Sequence, residues 1–348
     1  MSLSFSIVVC CYNSVSRLDN TLTHLAQLDY PSHLLELLLV DNASKDDTAK
    51  FAKNKWKELG EPYAYHALYE GKAGQAYARQ TGIRAAKNDF ILFVDDDNWL
   101  AEDYIKIACK LLGKYPSIGV LGGKISGVFE TPPPRWMTPI RPFKSLISNL
   151  AIHSDVHEYG FLNGVGAFVF GAGSFYKREV LQQLVKQRIT PFISGRSQEV
   201  LISGDDEELC ILMHLAGYKI YRSDQLRMQH YITSNRLIWD YFHRLYLGFG
   251  YGNGILEMYH YYIKHGEHQS PAAILDKAPI EAKIRKFNRL ARLMSALPFG
   301  ETFRKNKFHL LATYEKGKLK FLEDEAENIS SLQAKISEYV KQLDDLPR

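Results

Sequence analysis

The chain of 348 residues lacks the features that define several large classes of protein. It contains no run of about 18 apolar residues, so the sequence predicts no membrane-spanning helix. It also lacks a basic N-terminal segment, and its first apolar stretch is typical of a strand rather than of a signal peptide. Its cysteines, Cys10, Cys11, Cys109 and Cys210, have no metal-like spacing, and we expect reduced thiols in a cytoplasmic protein. The net charge of +4 is too small to indicate nucleic acid as a partner.

What is present is the composition of a folded globular protein, with 46% hydrophobic and 24% charged residues. Over the first 125 residues, short apolar runs alternate with segments of helical period. The apolar runs predict buried strands at Phe5–Cys11, Leu34–Val40, Phe90–Val94 and Ile118–Leu121. Strand and helix in alternation predict an α/β fold, with a mostly parallel central sheet flanked by helices. Such sheets bind ligands at the carboxyl ends of their strands, so the residues that follow each strand are the candidates for function.

Three consecutive aspartates, Asp95, Asp96 and Asp97, follow the predicted strand Phe90–Val94. Ionised neighbours repel one another, so a divalent cation or a set of basic groups must offset their charge. Oxygen ligands of this kind suit Mg²⁺ or Mn²⁺, which typically bridge a protein carboxylate and substrate phosphates. We expect Asp97 to bind the metal and Asp95 to lie nearer a sugar or ribose. The alternative is a solvated acidic turn.

Two further segments offer groups for a nucleotide. Asp41 ends a buried strand, where its carboxylate could accept a hydrogen bond from a pyrimidine or a ribose, or belong to a helix-capping turn. The segment Gly71–Gln80 places two glycines and Lys72 at a helix start, with Arg79 further along, and these groups could meet a diphosphate. An ordinary helix entry is the alternative, because the segment matches neither the dinucleotide nor the Walker pattern.

A second acidic cluster, residues 205–208, begins another predicted helix. The helix N-terminus partly stabilises the negative charge there. One of these carboxylates could accept a proton from a sugar hydroxyl as a general base, and a solvated helix start is the alternative. His230 follows about one strand later and could complete a metal shell, although a lone histidine is more often a structural residue.

These segments, in this order, resemble family 2 glycosyltransferases, whose nucleotide-sugar fold is called GT-A. The segments SIVVCCYN and DNASKDDT resemble the opening strand of that family and the turn that follows its second strand. The segment GKAGQAYARQTGIRAAKNDFILFVDDDN resembles the block that ends in the family's aspartates. Two later segments, GAGSFYKREVL and GDDEELCILMHLAGYKIYRSDQLRMQHYI, resemble its acceptor side. Together these motifs span about two-thirds of the chain, from Ser4 to His230.

The resemblance implies an inverting transfer of a sugar from a nucleotide-diphospho-sugar to a hydroxyl of a saccharide or lipid-linked saccharide, with Mn²⁺ or Mg²⁺. It implies that Asp97 and His230 hold the metal and that Asp206 is the catalytic base. Asp205 stands where the family often has Glu, so Asp205 and Glu208 stay alternatives for the base. The residues that would contact the donor are Cys10, Tyr12, Asp41, Lys72, Arg79, Asp95 and Asp96.

Two other functions stay open at this point. The first is a nucleotidyltransferase on a related sheet, which the absence of a clear glycine-rich start disfavours. The second is a non-catalytic scaffold that uses the same fold to assemble a polysaccharide machine. Substitution of the base separates the enzyme from the scaffold, because only the enzyme would lose turnover.

The sequence predicts three parts along the chain. Residues 1–125 would bind the nucleotide sugar, residues 126–232 would bind the acceptor and carry the base within the same domain, and residues 233–348 would form a mainly helical extension. The segment Thr131–Pro142 has five prolines and Trp136 at its centre, which predicts an irregular loop that acts as a lid or acceptor wall.

The C-terminal quarter has an uneven charge. Residues 281–320 hold eleven Lys/Arg and three Asp/Glu, a pattern that predicts a basic amphipathic helix. Such a helix could contact an anionic membrane surface or pack on the catalytic domain, and the first option implies a cytoplasmic enzyme peripheral to the inner membrane surface. Apolar residues spaced by threes and fours from Leu319 to Leu343 predict a helical seam that folds back or pairs two subunits.

Overall fold

The structure is a computed structural model that describes residues 2–137, 146–153, 158–164, 166–193, 201–265, 276–296 and 302–344. Within these residues, nine strands form one sheet in the order β3-β2-β1-β4-β8-β6-β9-β5, and β7 pairs with β9. The strands are β1 Phe5–Cys11, β2 Leu35–Asp41, β3 Ala64–Tyr69, β4 Phe90–Asp95, β5 Asn98–Leu100, β6 Ile118–Phe129, β7 Gly160–Leu162, β8 Ser174–Lys177 and β9 Lys219–Ile232.

The half of the sheet formed by β3, β2, β1 and β4 is parallel. Strand β1 lies in its centre, and its residues point alternately to two faces that are both covered. Val8 packs into one core cluster, whereas Ile7 and Val9 pack into the other. Burial on both faces explains why β1 and β2 are continuous apolar runs rather than alternating ones.

The other half of the sheet is mixed. Strand β8 runs antiparallel to both β4 and β6, while β6 and β9 pair in parallel over most of their length. The prediction of a mostly parallel sheet therefore applies to the first half. The expected boundary at residue 125 falls within β6, so the donor and acceptor parts share one sheet, and the expected boundary at 232 coincides with the end of β9. The functional division into three parts stays a prediction.

Helices cover the sheet and continue beyond it. They are α1 Leu18–Ala26, α2 Thr48–Glu58, α3 Gln75–Ala85, α4 Tyr104–Lys114, α5 Arg178–Lys186, α6 Asp205–Leu215, α7 Trp239–His265, α8 Lys277–Ala296, α9 Thr302–Asp324 and α10 Ile329–Asp344. The last four form the predicted helical extension. Among the described residues, no helix is long and apolar enough to cross a lipid bilayer.

The C-terminal helices pack within the chain. The α8 residue Phe287 stacks on Phe308 of α9 at 6.4 Å, so the apolar stripe of α8 is largely covered, while its basic residues are exposed. The predicted seam is likewise buried at Leu322, Ile336 and Leu343, which join the core cluster of the sheet and α6. The structure therefore shows the fold-back alternative for this seam.

Candidate active site

One cavity of about 980 Å³ lies at the carboxyl ends of β1 and β4 and extends to the start of α6. Both acidic clusters line it, together with most of the other residues that the sequence singled out. The predicted site residues that line this cavity are Cys10, Tyr12, Arg79, Asp95, Asp96, Asp97, Asp206 and His230. A cleft between the two clusters is the arrangement that a transferase with separate donor and acceptor groups requires.

The three aspartates at the end of β4 have different neighbours, because the chain turns directly after the strand. Asp95 accepts a hydrogen bond from Gln75 at 3.3 Å. Asp96 is bound by Arg17, whose Nη2 lies 2.6 Å from Asp96 Oδ2, and by the Ser14 hydroxyl. Opposite charges therefore offset Asp96, while Asp95 has a neutral partner.

Asp97 is 2% exposed and lies between two groups that favour its ionised form. Its Oδ2 is 3.2 Å from Arg236 Nη1 and 3.5 Å from His230 Nε2. Burial alone would raise the pKa of Asp97, but His230 and Arg236 outweigh burial and hold the pKa well below its ordinary value. Burial and the charge of Asp97 instead raise the pKa of Asp95 to about 6. One carboxylate of the cluster is thus firmly anionic and another is close to accepting a proton.

The Asp97–His230 pair fits a divalent ion that takes few protein ligands. Among the described residues, no group of three or more His, Cys, Asp or Glu side chains is placed to hold a metal ion. Mg²⁺ typically binds one or two carboxylates and completes its shell with water and substrate phosphates. Arg236 Nη1 also lies 3.0 Å from His230 Nε2, so the guanidinium and a metal ion would compete for the same two groups.

Strand β1 contributes two thiols at the edge of this cavity. Burial raises the pKa of Cys10 to about 12 and raises that of Cys11 well above its ordinary value. Both thiols therefore stay protonated at neutral pH, and neither is a nucleophile. The two side chains therefore contribute to the shape of the cavity and not to its reactivity.

The second acidic cluster begins at a sharp turn. Gly204 has a φ of +124°, a conformation that favours glycine, and α6 starts at the next residue. Arg79 of α3 lies between the first two carboxylates of the helix, with Nη1 2.8 Å from Asp205 Oδ2 and 3.1 Å from Asp206 Oδ1. Burial works against the charge of Arg79, but Asp206 and Asp205 outweigh it, and the pKa of Arg79 is raised. One guanidinium therefore holds the carboxylates of Asp205 and Asp206 close together.

Glycines create the space for this ion pair. A Cβ at Gly171 would lie 2.1 Å from Asp206 Oδ1, so a side chain there would displace the carboxylate. On α7, a Cβ at Gly252 would lie 2.0 Å from the Ser203 carbonyl, and one at Gly248 would lie 1.8 Å from the Leu201 carbonyl. Helix α7 therefore packs directly on the backbone that leads into α6, and it fixes the position of the acidic pair.

The remaining two carboxylates of α6 have other environments. Glu208 is fully buried and accepts hydrogen bonds from the backbone amides of Phe192 and Ile193, each at 2.8 Å, and from the Tyr259 hydroxyl. Glu208 does not line the cavity, so of the three alternatives for the base only Asp205 and Asp206 do. Glu207 lines the cavity and lies 3.5 Å from His260, and burial raises its pKa to about 7.

Two predicted donor residues lie outside the lining of the cavity. Asp41 is 9% exposed, and its Oδ1 accepts a hydrogen bond from the backbone amide of Ser44 at 3.1 Å. Lys72 lies over the ring of Tyr77, with Nζ 4.0 Å from the ring centroid. The neighbouring Asn42 lines the cavity instead. A role of Asp41 and Lys72 in donor binding stays a prediction.

Several lining residues were missed by the sequence analysis. Arg17 and Arg236 lie far along the chain from the aspartates that they bind, and no local pattern marks them as partners. Gln75 was inside the glycine-containing segment, but an amide at a helix start gives no specific signal. The alternation of glycine in GFGYGNG of α7 was the one pattern that could have indicated close packing against another backbone.

The fold is of the GT-A type, which confirms the fold prediction. The model of the family described as glycosyl transferase family 2 matches residues 6–185, more than half of the chain, and the chain belongs to that family. The mannosyltransferase PcManGT from Pyrobaculum calidifontis, solved with GDP-Man and Mn²⁺, has a similar fold. The TM-score is 0.56 at 19% identity, with 93% of this chain and 88% of that chain covered.

Similarity to curated proteins is confined to part of the chain. The chain is 29% identical over 126 residues to the poly(ribitol-phosphate) beta-N-acetylglucosaminyltransferase TarS of Staphylococcus aureus, which covers 36% of this chain and 22% of that protein. It is 30% identical over 106 residues to the glycosyltransferase GlyG of Streptococcus pneumoniae, which covers 30% of this chain and 34% of that protein. The matches thus span about a third or less of these relatives.

Proposed function

We propose that this protein transfers a sugar from a nucleotide-diphospho-sugar to a hydroxyl of a saccharide or lipid-linked saccharide, with inversion at the anomeric carbon. The observation that carries the proposal is the convergence of residues 95–97 and residues 205–206 on one cavity. Membership of glycosyl transferase family 2 supports the reaction type. The name of one curated relative, a poly-beta-1,6-N-acetyl-D-glucosamine synthase of Staphylococcus epidermidis, supports a saccharide as the acceptor.

Asp206 is the proposed general base. Its carboxylate lines the cavity beside Arg79, so it is available to take the proton of the acceptor hydroxyl. As the proton leaves, the acceptor oxygen attacks the anomeric carbon and the bond from that carbon to the diphosphate breaks. A single displacement of this kind inverts the configuration of the carbon.

The end of the cavity lined by residues 95–97, here called the donor end, would bind the diphosphate. Asp97 and His230 would hold a divalent ion, which, when bound, offsets the negative charge that builds on the departing diphosphate. Arg236 and Arg17 also line this end, and a guanidinium binds phosphate oxygens in a bidentate geometry. Tyr12 and Asn42, which follow β1 and β2 and line the cavity, would contact the nucleoside.

Nucleotide-induced thermal stabilisation tests the donor site. We expect UDP or GDP to raise the melting temperature in the presence of Mn²⁺ or Mg²⁺, and to raise it less without either ion. A turnover screen over nucleotide sugars with Mn²⁺ then identifies the donor. If no common nucleotide shifts the melting temperature and no nucleotide sugar is turned over, the proposal is wrong. Release of pyrophosphate from a nucleoside triphosphate and a sugar phosphate would indicate a nucleotidyltransferase instead.

A peripheral contact with the inner membrane surface belongs to the same proposal and implies a cytoplasmic enzyme. The exposed side chains that support it are Lys283, Arg285, Lys286, Arg289 and Arg292 of α8. Because the apolar stripe of this helix packs on α9, the contact would be mainly electrostatic, so added salt should weaken it. Cosedimentation with anionic vesicles but not with neutral ones would support the contact, and equal recovery with both would contradict it.

A further inference from the structure

A second cavity of about 470 Å³ lies outside the proposed active site. Its walls come from helices α7, α8 and α9 and from the short 3₁₀ turn Arg135–Met137, the part of the proline-rich loop that the structure describes. Residues 138–142 of that loop lie outside the described residues. None of the described residues that line this second cavity also lines the first.

Two tryptophans form one side of the second cavity. Trp136 and Trp239 are half-buried, and their ring centroids lie 5.5 Å apart at an interplanar angle of 78°. Trp239 is followed one helical turn later by His243, which lines the same cavity. Two indole rings and an imidazole therefore lie together in the lining of the cavity.

Polar side chains form the opposite side. Asn306, His309, Thr313 and Lys316 follow one face of α9, and Asn288 faces them from α8. Packed helices normally meet through apolar faces. His243 and Lys316 are exposed, and Asn288 and Asn306 are half-buried. Four polar side chains therefore converge on one space that a polar ligand can enter.

The chemistry of this lining indicates the class of ligand. Carboxamides and imidazoles both donate and accept hydrogen bonds, as sugar hydroxyls do, and indole rings cover an apolar face. No carboxylate is among the described lining residues, and Lys316 adds a positive charge. We propose that the second cavity binds one sugar residue of a glycan, with Lys316 directed at an anionic substituent such as a phosphate.

The position of the cavity relates it to the acceptor. Tyr241 of α7 lines the active-site cavity, whereas Trp239 and His243 line the second one. The two cavities thus lie on opposite faces of the first turns of α7. For a glycan acceptor that extends around this helix, the second cavity would hold a sugar remote from the reacting hydroxyl. This assignment to the acceptor rests on the proposed function, whereas sugar binding itself does not.

Saturation-transfer difference NMR on the full chain tests the site. The probes are the methyl glycosides of glucose, galactose, mannose and N-acetylglucosamine, together with their 6-phosphates. We expect at least one probe to bind, and to bind about threefold to tenfold more weakly to Asn288→Ala, which removes one hydrogen-bonding group. Lys316→Ala should weaken the phosphorylated probe more than the neutral one. The matched control is Asn54→Ala, an exposed asparagine on α2.

The active-site variant Asn253→Ala separates the two cavities, because Asn253 lines only the first. Probe binding that survives in Asn253→Ala and weakens in Asn288→Ala supports the second site. Binding that weakens only in Asn253→Ala, or no binding of any probe, overturns it. The nucleotide-induced thermal shift of Asn288→Ala should equal that of the unsubstituted chain, so a failure of the second site is distinguishable from a failure of the proposed function.

Discussion

The two acidic clusters of the active site accommodate adjacent negative charges in different ways. At the end of β4 the chain turns, so Asp95, Asp96 and Asp97 meet Gln75, Arg17 and the His230–Arg236 pair respectively. At the start of α6 the helix rotates each successive side chain by ~100°. Asp205 and Asp206 share one arginine, Glu207 faces His260 and Glu208 enters the core.

The difference shows that position, rather than residue type, assigns the role of each carboxylate. Burial together with cationic neighbours lowers the pKa of Asp97, while burial without a cationic neighbour raises the pKa of Glu207 to about 7. A strand end followed by a turn gives each of its aspartates different partners, with an amide at Asp95 and cations at Asp96 and Asp97. A helix start instead gives two of its carboxylates one shared cation, while burial raises the pKa of Glu207 and Glu208.

The largest expected effect is on turnover, in Asp206→Asn. Removal of the general base should lower the turnover rate by about 100-fold to 10,000-fold, while the nucleotide-induced thermal shift stays unchanged. Asp97→Asn should instead reduce the metal-dependent part of the nucleotide-induced thermal shift. The control is Asp224→Asn, an exposed aspartate on β9. Unchanged turnover in Asp206→Asn would show that Asp206 is not the general base. The proposed division of roles between the two acidic clusters would then be wrong.

The location of both clusters could be predicted from the sequence, because each follows a local signal. Strand β1 has the predicted bounds, and β4 extends one residue beyond its predicted end, so Asp95 ends the strand and Asp96 and Asp97 follow it. The helix start at Asp205 was predicted as well. Local patterns of strand and helix determine these positions.

The partners of the clusters could not be predicted in the same way. Arg236 meets Asp97 across 139 positions of sequence, and β8, which closes the sheet between β4 and β6, is only four residues long. Glu208 and Asp206 belong to the same run of acidic residues. The rotation of the helix directs Glu208 into the core, whereas Asp206 faces the cavity. Contacts of this kind depend on the tertiary fold, which a single sequence does not encode in a local pattern.

The next largest effect is on stability, in Arg79→Met. The substitution leaves Asp205 and Asp206 without their shared cation in a largely buried place, which should lower the free energy of unfolding by about 3 kcal/mol. Urea denaturation measures this change. Arg84→Met is the matched control, because Arg84 is exposed on the same helix and should change stability by less than about 0.5 kcal/mol. Equal losses in the two variants would show that the acidic pair does not depend on Arg79.

A smaller effect is expected on metal affinity, in Arg236→Met. The guanidinium lies against both Asp97 and His230, so its removal should tighten Mn²⁺ binding in the absence of nucleotide by about tenfold, or ~1.4 kcal/mol. Isothermal titration calorimetry of the nucleotide-free protein measures the affinity. Arg17→Met removes the same charge beside Asp96 and should tighten binding less. Identical affinities in both variants would show that Arg236 acts only through its charge, not by occupying the metal position.

The smallest effect is on the pH dependence of stability, in Glu207→Gln. Burial raises the pKa of Glu207 from 4.5 to about 7, so between these values the folded state binds more protons than the unfolded state. Stability therefore falls as the pH rises through this window, by up to ~1.4 kcal/mol per pH unit for one group. Glu207→Gln should reduce the fall between pH 6 and 7, measured by urea denaturation, by about 1 kcal/mol. Glu327→Gln, an exposed control, should leave it unchanged. The same slope in all three proteins would mean that Glu207 titrates as an ordinary surface carboxylate, and the contrast between the two clusters would then rest on Asp97 alone.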